Sequence, residues 1–164
     1  MKLRFSGWLG AFLVAATVLV ALLSLVWTPY DPTLAHPDVR LAGPSAEHLL
    51  GTDRFGRDTA SRIMAGAQIT VFVGLIAVGI AALVGVPLGI LAGMRRGTWV
   101  DAQVMRGADL LLAFPALLLA IIAGAVWGPS TLTAMVAIGI AGIPSFARVA
   151  RSGTLQVITQ DFIS

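Results

Sequence analysis

The residues of this chain that are best suited to chemistry are concentrated between positions 48 and 62. This segment begins with a histidine and carries five charged side chains: Asp53, Arg54, Arg57, Asp58 and Arg62. Carboxylates and histidines can transfer protons or hold metal ions, and arginines can hold anions. Because the flanking sequence is strongly apolar, these charges must lie outside a membrane, be paired with one another, or serve a function.

The chain as a whole does not support enzymatic chemistry. His36 and His48 are far apart, no pair of metal ligands stands at helical spacing, and no Gly-x-Ser-x-Gly motif occurs. The single lysine, Lys2, excludes a Walker A loop, which needs a lysine at the phosphates. The absence of cysteine excludes disulfides and thiolate chemistry. We therefore expect no enzymatic activity, no cofactor and no metal, and any ATP hydrolysis must occur in another polypeptide.

The composition indicates an integral membrane protein. Of the 164 residues, 57% are hydrophobic and 12% are charged, and the mean hydropathy is +0.90. A soluble domain carries about 25% charged residues, so this chain has about half of what a water-exposed surface needs. The net charge is +3, but the arginines stand next to apolar runs, which is typical of topology signals and not of a nucleic-acid surface.

Long uncharged stretches predict the membrane-spanning helices. They run from Phe5 to Tyr30, from Ile63 to Met94 and from Leu110 to Ala147, and Gly128-Pro129 breaks the last at a turn. A helix crosses the hydrocarbon in about 20 residues. The sequence therefore predicts an all-α, polytopic helical bundle with four transmembrane helices, at about residues 7–27, 68–94, 104–126 and 131–147.

Tryptophans and basic residues predict where these helices end and how they are oriented. Trp8 and Trp27 bracket the first helix, and Trp99 and Trp127 bracket the third, as expected for indoles at the membrane interface. The apolar stretch within residues 1–30 is too long for a cleaved signal peptide. The majority of the basic residues favours a cytoplasmic N-terminus in the inner membrane: Lys2, Arg4, Arg95, Arg96, Arg106, Arg148 and Arg151 inside, against Arg40, Arg54, Arg57 and Arg62 outside.

The stretch between the first two helices, about residues 28–67, is expected outside the membrane. Its first half should be extended because it holds four prolines. In its second half, two acids are each followed four residues later by an arginine, in Asp53–Arg57 and Asp58–Arg62. This spacing predicts two ion pairs on an interfacial helix. A turn and cap at Gly51-Thr52 should precede that helix. We accordingly divide the chain into residues 1–67 and residues 68–164.

Residues within the predicted helices indicate how they pack. Small residues recur at every fourth position of the second helix, and in lipid such a stripe marks a helix–helix contact, either within the chain or with a partner subunit or a pathway. A proline in each of the last three helices should kink it, and Asp109 should form a local ion pair with Arg106 and have no role in ion coupling. The stripe is Ala77, Ala81, Gly85, Gly89 and Gly93, and the prolines are Pro87, Pro115 and Pro144.

The charged segment resembles the signature of the peptide/nickel-type ABC importer permeases, and more narrowly their dipeptide/oligopeptide C-type subunits. The matching motif residues are Gly51, Thr52, Asp53, Gly56, Arg57, Asp58 and Arg62, within Leu50–Asp53, Phe55–Asp58 and Ser61-Arg62. The resemblance continues in Trp99–Asp101, Met105-Arg106, Asp109–Ala120 and Ala147–Arg151. It covers nearly the whole chain in a consistent order.

The resemblance implies a non-enzymatic, six-helix permease subunit in the lipid bilayer. A sister permease would complete the translocation path, two cytoplasmic ATPase subunits would drive alternating access, and an extracytoplasmic solute-binding protein would deliver the substrate. The substrates would be short peptides, or nickel and related small solutes, and nucleic acid is not an expected partner. The cytoplasmic approach to the ATPase contact would include Arg148, Arg151, Asp161 and Phe162.

The chain departs from the family pattern at its end. In the family, the fourth helix leads to a cytoplasmic Glu-Ala-Ala loop that docks on the ATPase, whereas this sequence stops at Ser164 on the approach to it. The resemblance thus implies four of six helices and a chain that does not couple to ATP hydrolysis as it stands. The alternatives are a stand-alone four-helix protein, either a small secondary carrier or an adaptor, and an inactive fragment. A carrier should show internal repeats and a charged midplane site, and we find neither in the sequence.

Overall fold

The computed structural model describes residues 5–158, and these form five α-helices and one 3-10 helix. Their bounds are Phe5–Ser24 for α1, Thr59–Met94 for α2, Trp99–Ala113 for α3, Ala116–Trp127 for α4 and Thr131–Ile158 for α5, with the 3-10 helix at Pro37–Val39. Over these described residues the only extended pairing is an isolated antiparallel bridge between Thr52 and Asp58. The predicted all-α class is confirmed. The expectations for Lys2, Arg4, Asp161 and Phe162 lie outside the described residues.

Three helices, α1, α2 and α5, are long and apolar enough to cross a membrane. Helices α3 and α4 contain 15 and 12 residues. At about 1.5 Å per residue, neither alone covers a hydrocarbon layer of about 30 Å. Together they pass the same test, although they are bent by 84° at a short break. The described chain therefore has three candidate spans, or four if α3 and α4 cross as one.

The break between α3 and α4 arises at Phe114 and Pro115. Both residues have extended backbone conformations, with ψ values of 125° and 133°. Proline lacks an N–H and forces the preceding residue out of the helical region. The predicted third helix, 104–126, is therefore divided into two helices, and the predicted kink at Pro115 is confirmed as the break between them. By contrast, α2 and α5 continue as helices through Pro87 and Pro144.

The chain forms two compact units, Met1–Phe72 and Val73–Ser164, and their boundary falls inside α2. In the described part of the first unit, α1 is followed by the connecting segment, which we define as residues 25–58, and by the first turns of α2. In the second unit, α5 is the central element, because α3, α4 and the second half of α2 all pack against it. Its interior consists largely of small side chains, since close backbone approach is what stabilises helix contacts in lipid: Ala77, Ala81, Ala92, Ala108, Ala123, Ala137 and Ala147 are all buried.

Candidate functional site

The motif-bearing part of the connecting segment is a tight turn. Thr52 and Asp58 form the antiparallel bridge, and between them the N–H of Asp53 donates to the carbonyl of Arg57 at 3.0 Å. The N–H of Gly56 donates to the carbonyl of Asp53 at 2.9 Å. The prediction of an interfacial helix beginning at Gly51 is therefore wrong, because the first helix after this turn is α2, which begins at Thr59.

Gly51 and Gly56 explain why this stretch turns and does not form a helix. Their φ angles are +70° and +77°, in the left-handed region that favours glycine. A Cβ on Gly51 would lie 2.5 Å from the carbonyl oxygen of Ala42, and one on Gly56 would lie 1.8 Å from that of His36. Both motif glycines are therefore required by backbone conformation and by space.

The carboxylate of Asp53 organises the turn. Its Oδ1 accepts the N–H groups of Phe55 at 2.7 Å and Arg57 at 3.1 Å, and its Oδ2 accepts Arg57 Nε at 2.9 Å and Arg62 Nη1 at 2.6 Å. Desolvation raises the pKa of Asp53, but the hydrogen bonds from Arg57 and Phe55 outweigh it and lower that pKa to about 2. The predicted Asp53–Arg57 ion pair is confirmed, whereas the predicted Asp58–Arg62 pair is wrong because Arg62 binds Asp53.

Asp58 is a buried carboxylate with a different set of partners. Its Oδ2 accepts both the N–H and the hydroxyl of Ser61 at 2.8 Å, which caps the first turn of α2. Its Oδ1 lies 3.0 Å from Nδ1 of His48. Desolvation raises the pKa of Asp58, but the hydrogen bonds from Ser61 and His48 prevail and hold that pKa below its ordinary value.

Tyr30 extends this network toward the end of α1. Its N–H donates to Ser61 Oγ at 2.9 Å, and its hydroxyl donates to the carbonyl of Glu47 at 2.9 Å. Its ring lies against that of His48, with 4.8 Å between centroids. We name Tyr30, His48, Asp58 and Ser61 the polar network. Sequence reasoning missed Tyr30 and His48 as members, since neither stands at a spacing that indicates contact with Asp58.

The order of groups in the polar network excludes nucleophilic catalysis by Ser61. A catalytic triad places histidine between the serine and the carboxylate, so that the histidine can accept the hydroxyl proton. Here the carboxylate of Asp58 lies between Ser61 and His48, and Ser61 is fully buried. No group of three potential metal ligands occurs among residues 5–158. The network is thus suited to holding the start of α2 against the connecting segment.

Thr52 joins the turn to the rest of the connecting segment, and Arg54 and Phe55 lie at the exposed tip of the turn. The Thr52 hydroxyl donates to the carbonyl of Val39 and accepts the N–H of Ala42. At the tip, the guanidinium groups of Arg54 and Arg57 each lie 4.8 Å from the centroid of the Phe55 ring. The structure therefore brings all seven predicted motif residues into one cluster, with the cationic and aromatic groups outermost.

The small-residue stripe of α2 lies against α5. A Cβ on Gly85 would be 2.6 Å from the carbonyl oxygen of Ile143, and one on Gly89 would be 2.2 Å from that of Ala147. From the α5 side, a Cβ on Gly139 would lie 3.1 Å from the carbonyl oxygen of Ala77. The two backbones are thus in direct contact. The predicted stripe therefore packs within the chain, against α5: Ala77, Ala81, Gly85, Gly89 and Gly93.

Two ion pairs join α3 to α5. Asp101 receives two hydrogen bonds from Arg151, at 2.7 and 2.8 Å, and Asp109 receives one from Arg148, at 2.6 Å. The prediction that Asp109 pairs with Arg106 is therefore wrong. Arg148 and Arg151, expected near the ATPase contact, both have partners within the chain, and the sequence contained no local signal for either pairing.

Comparison with known proteins identifies relatives of this chain. Residues 85–164 match the sequence profile of the binding-protein-dependent transport system inner membrane component family. The dipeptide transport system permease protein of Alkalihalophilus pseudofirmus is 40% identical over 154 residues, covering 94% of this chain and 50% of the relative. A di/tripeptide permease protein of Pseudomonas aeruginosa is 34% identical, over 96% of this chain and 54% of the relative. A glutathione permease protein of Pectobacterium atrosepticum is 42% identical, over 87% of this chain and 49% of the relative.

These relatives bear out the family resemblance. They are transport permeases and not enzymes, and with the apolar helices they identify a multi-pass membrane protein. The chain spans about half the length of the curated relatives it matches.

Proposed function

Residues 85–164 belong to the family of binding-protein-dependent transport system inner membrane components, and from this premise we propose that the chain is a permease subunit of an ATP-driven importer of short peptides. The observation that carries the proposal is the extent of the similarity to peptide permeases. At 40% identity over 94% of the chain, it includes the connecting segment and the motif turn as well as the helices that the family profile covers.

Short peptides are the substrate class that the relatives favour. The three relatives are named for dipeptides, di- and tripeptides, and glutathione, which is itself a tripeptide. Nickel, the other class that the resemblance implied, gains no comparable support from these names. We therefore place short peptides first.

The proposed partners are those of the family. A sister permease completes the translocation path, two cytoplasmic ATPase subunits supply energy, and an extracytoplasmic solute-binding protein delivers the peptide. The lack of a Walker A lysine in this sequence supports separate ATPase subunits. The distribution of basic residues supports a cytoplasmic N-terminus, which places the connecting segment on the face from which the binding protein arrives.

The geometry suits this role. The polar network and the Asp53 turn give the connecting segment internal hydrogen bonds, so it can present a defined surface outside the membrane. The contact between α2 and α5 provides a closely packed pair of helices within the second unit. The break at Pro115 separates α4 from α3 by a bend of 84°, which is a point where no continuous helix fixes their relative angle. Alternating access needs rigid groups joined at a few flexible points.

Uptake of labelled dipeptides by cells that lack their own peptide permeases tests the proposal. We expect uptake when the complete transporter containing this chain is expressed, and loss of uptake when the Walker lysine of either ATPase subunit is replaced. Uptake that persists without the ATPase subunits would contradict the proposal and favour a stand-alone carrier. A fully assembled transporter that imports no di- or tripeptide would contradict the substrate class.

A further inference from the structure

We propose that Asp101 and Arg151 are a positioning pair that joins the end of α5 to the α2–α3 turn, so that movement of α5 is transmitted to α2 and α3 during transport. This inference rests on the function proposed above. It concerns a contact that neither the sequence motif nor the family match assigns.

The Asp101 carboxylate is the meeting point of the pair. It is only 6% exposed, in the first turn of α3. Its Oδ1 accepts Arg151 Nε at 2.7 Å, and its Oδ2 accepts Arg151 Nη2 at 2.8 Å. Two parallel hydrogen bonds between a guanidinium and a carboxylate hold both groups in a single relative orientation. The pair therefore constrains direction as well as distance.

The same carboxylate also holds the turn that precedes α3. Its Oδ2 accepts the N–H of Gly97 at 3.1 Å, and Gly97 has a φ of +74°, which lets the chain reverse there. Asp101 is thus bonded at once to its own turn and to a helix 50 residues further along the chain.

Helix α2 contacts α5 at the same level. A Cβ on Gly93, in the last turn of α2, would lie 3.1 Å from the carbonyl oxygen of Arg151 and 2.7 Å from Cβ of Thr154. The Thr154 side chain and the α5 backbone thus leave no room for a side chain at Gly93. The ends of α2, α3 and α5 therefore meet around one ion pair.

The position of Arg151 in α5 gives the pair its role. It lies about two turns before Ile158, and the chain then continues into residues 159–164, where the resemblance implies the approach to the ATPase. Because α5 is continuous from Thr131 to Ile158, a displacement of its end moves Arg151 with it. The bidentate bond then carries Asp101, and with it the α2–α3 turn.

The chain contains a matched control in Asp109 and Arg148. This pair joins the same two helices, but through a single hydrogen bond, and its side chains are 64% and 50% exposed. Exposed pairs of this kind contribute little. In the Asp101–Arg151 pair, the carboxylate side chain is 8% exposed and the guanidinium side chain 29% exposed, so breaking this pair leaves a buried carboxylate without compensation. Asp101→Asn and Asp109→Asn therefore each remove the charge of one carboxylate, the first at a buried position and the second at an exposed one.

A distance measurement tests the joint itself. The sequence has no cysteine, so spin labels can be placed at Ala102→Cys and Val157→Cys of the complete transporter in lipid. We expect a narrow distance distribution that Asp101→Asn broadens and Asp109→Asn leaves unchanged. A distribution that stays narrow in Asp101→Asn would overturn the proposal, even if that variant were inactive.

The role in transport is tested by the number of peptides imported for each ATP hydrolysed. Both rates are measured per assembled complex, so a lower abundance of the complex does not affect their ratio. We expect Asp101→Asn and Arg151→Gln to lower this ratio by about tenfold, the size of a typical coupling between sites. The Asp101→Arg/Arg151→Asp exchange should restore part of it. An unchanged ratio in Asp101→Asn would overturn the inference. If the transporter without substitutions imports no peptide, the proposed function is overturned, and the distance measurement alone then tests the joint.

Discussion

The carboxylate of Asp58 lies 3.0 Å from Nδ1 of His48 and also caps the first turn of α2 through Ser61. Asp58 is 3% exposed, so these hydrogen bonds are shielded from water. Hydrogen bonds of a buried, charged group are costly to break, because the group left behind is neither solvated nor paired. This relationship makes the junction between the connecting segment and α2 a polar site that is sensitive to substitution.

Replacing Asp58 with asparagine should destabilise that junction. The amide keeps the size of the side chain but loses the charge and one acceptor, so His48 or Ser61 loses its partner. We expect a loss on the order of 1–3 kcal/mol, seen as a lower Tm in detergent and faster proteolysis within residues 25–58. Asp38→Asn, at an exposed position of the same segment, should change neither. Equal Tm values for the two variants would contradict a structural role for the network.

The pH dependence of stability should reflect Asp53. Its folded-state pKa is lowered from 3.8 to about 2, so the ionised group stabilises the fold above pH 3.8, and that contribution is lost as the pH falls through about 2. The Tm should therefore not change on account of this group at neutral pH, but should fall between pH 3.8 and 2. Asp53→Asn should show a smaller decrease over the same range. If the Tm falls with pH equally in the unaltered protein and in Asp53→Asn, Asp53 is not responsible for the loss of stability.

Gly56→Ala should be poorly tolerated. The substitution forces a Cβ into a residue with a φ of +77° and toward the carbonyl oxygen of His36. Such strain costs on the order of 1–3 kcal/mol, and relief of the clash would open the turn that Asp53 holds. Gly43→Ala is the matched control, because a Cβ there meets nothing within 4 Å. Thermal unfolding and membrane abundance compare the two, and equal losses would argue against the turn geometry.

Gly89→Ala should separate α2 from α5. Its Cβ would lie 2.2 Å from the carbonyl oxygen of Ala147, so the helices must move apart. Overpacking of this kind costs about 1–3 kcal/mol, and we expect a lower Tm together with reduced peptide uptake. Gly74→Ala lies in the same helix with open space around it, and should be neutral or slightly stabilising by helix propensity. A neutral Gly89→Ala would show that the two helices pack less closely.

Labelling of an introduced cysteine can decide whether α3 and α4 cross the membrane as one span. If they do, the turn between α4 and α5 lies on the extracytoplasmic side, and Ser130→Cys should react with an impermeant maleimide added outside intact cells. Arg96→Cys, in the turn before α3, should react only after the membrane is opened. Reaction of both from the same side would instead identify the bent pair as a re-entrant segment. The lack of native cysteine keeps the background low.

The sequence alone determined the protein class, located the apolar stretches and carried the resemblance to a permease family. This was possible because the thickness of the hydrocarbon translates directly into the length of an uncharged run. Local chemistry identified the break at Gly128-Pro129, and the motif residues were recognisable from type and order alone. The Asp53–Arg57 pair could also be predicted, since four-residue spacing brings side chains together in a tight turn as well as in a helix.

Only the tertiary structure decided which charges meet. Helix α5 continues past residue 147, where the last membrane span was predicted to end. Its Arg148 and Arg151 pair with Asp109 and Asp101, which lie 39 and 50 residues earlier. Spacing along the chain carries no information about such pairs, because helix packing creates them. In the same way, the carbonyl of His36, from a distant part of the connecting segment, leaves no room for a Cβ at Gly56. Four-residue spacing could not show that residues 51–58 form a turn, since a helix satisfies that spacing equally well.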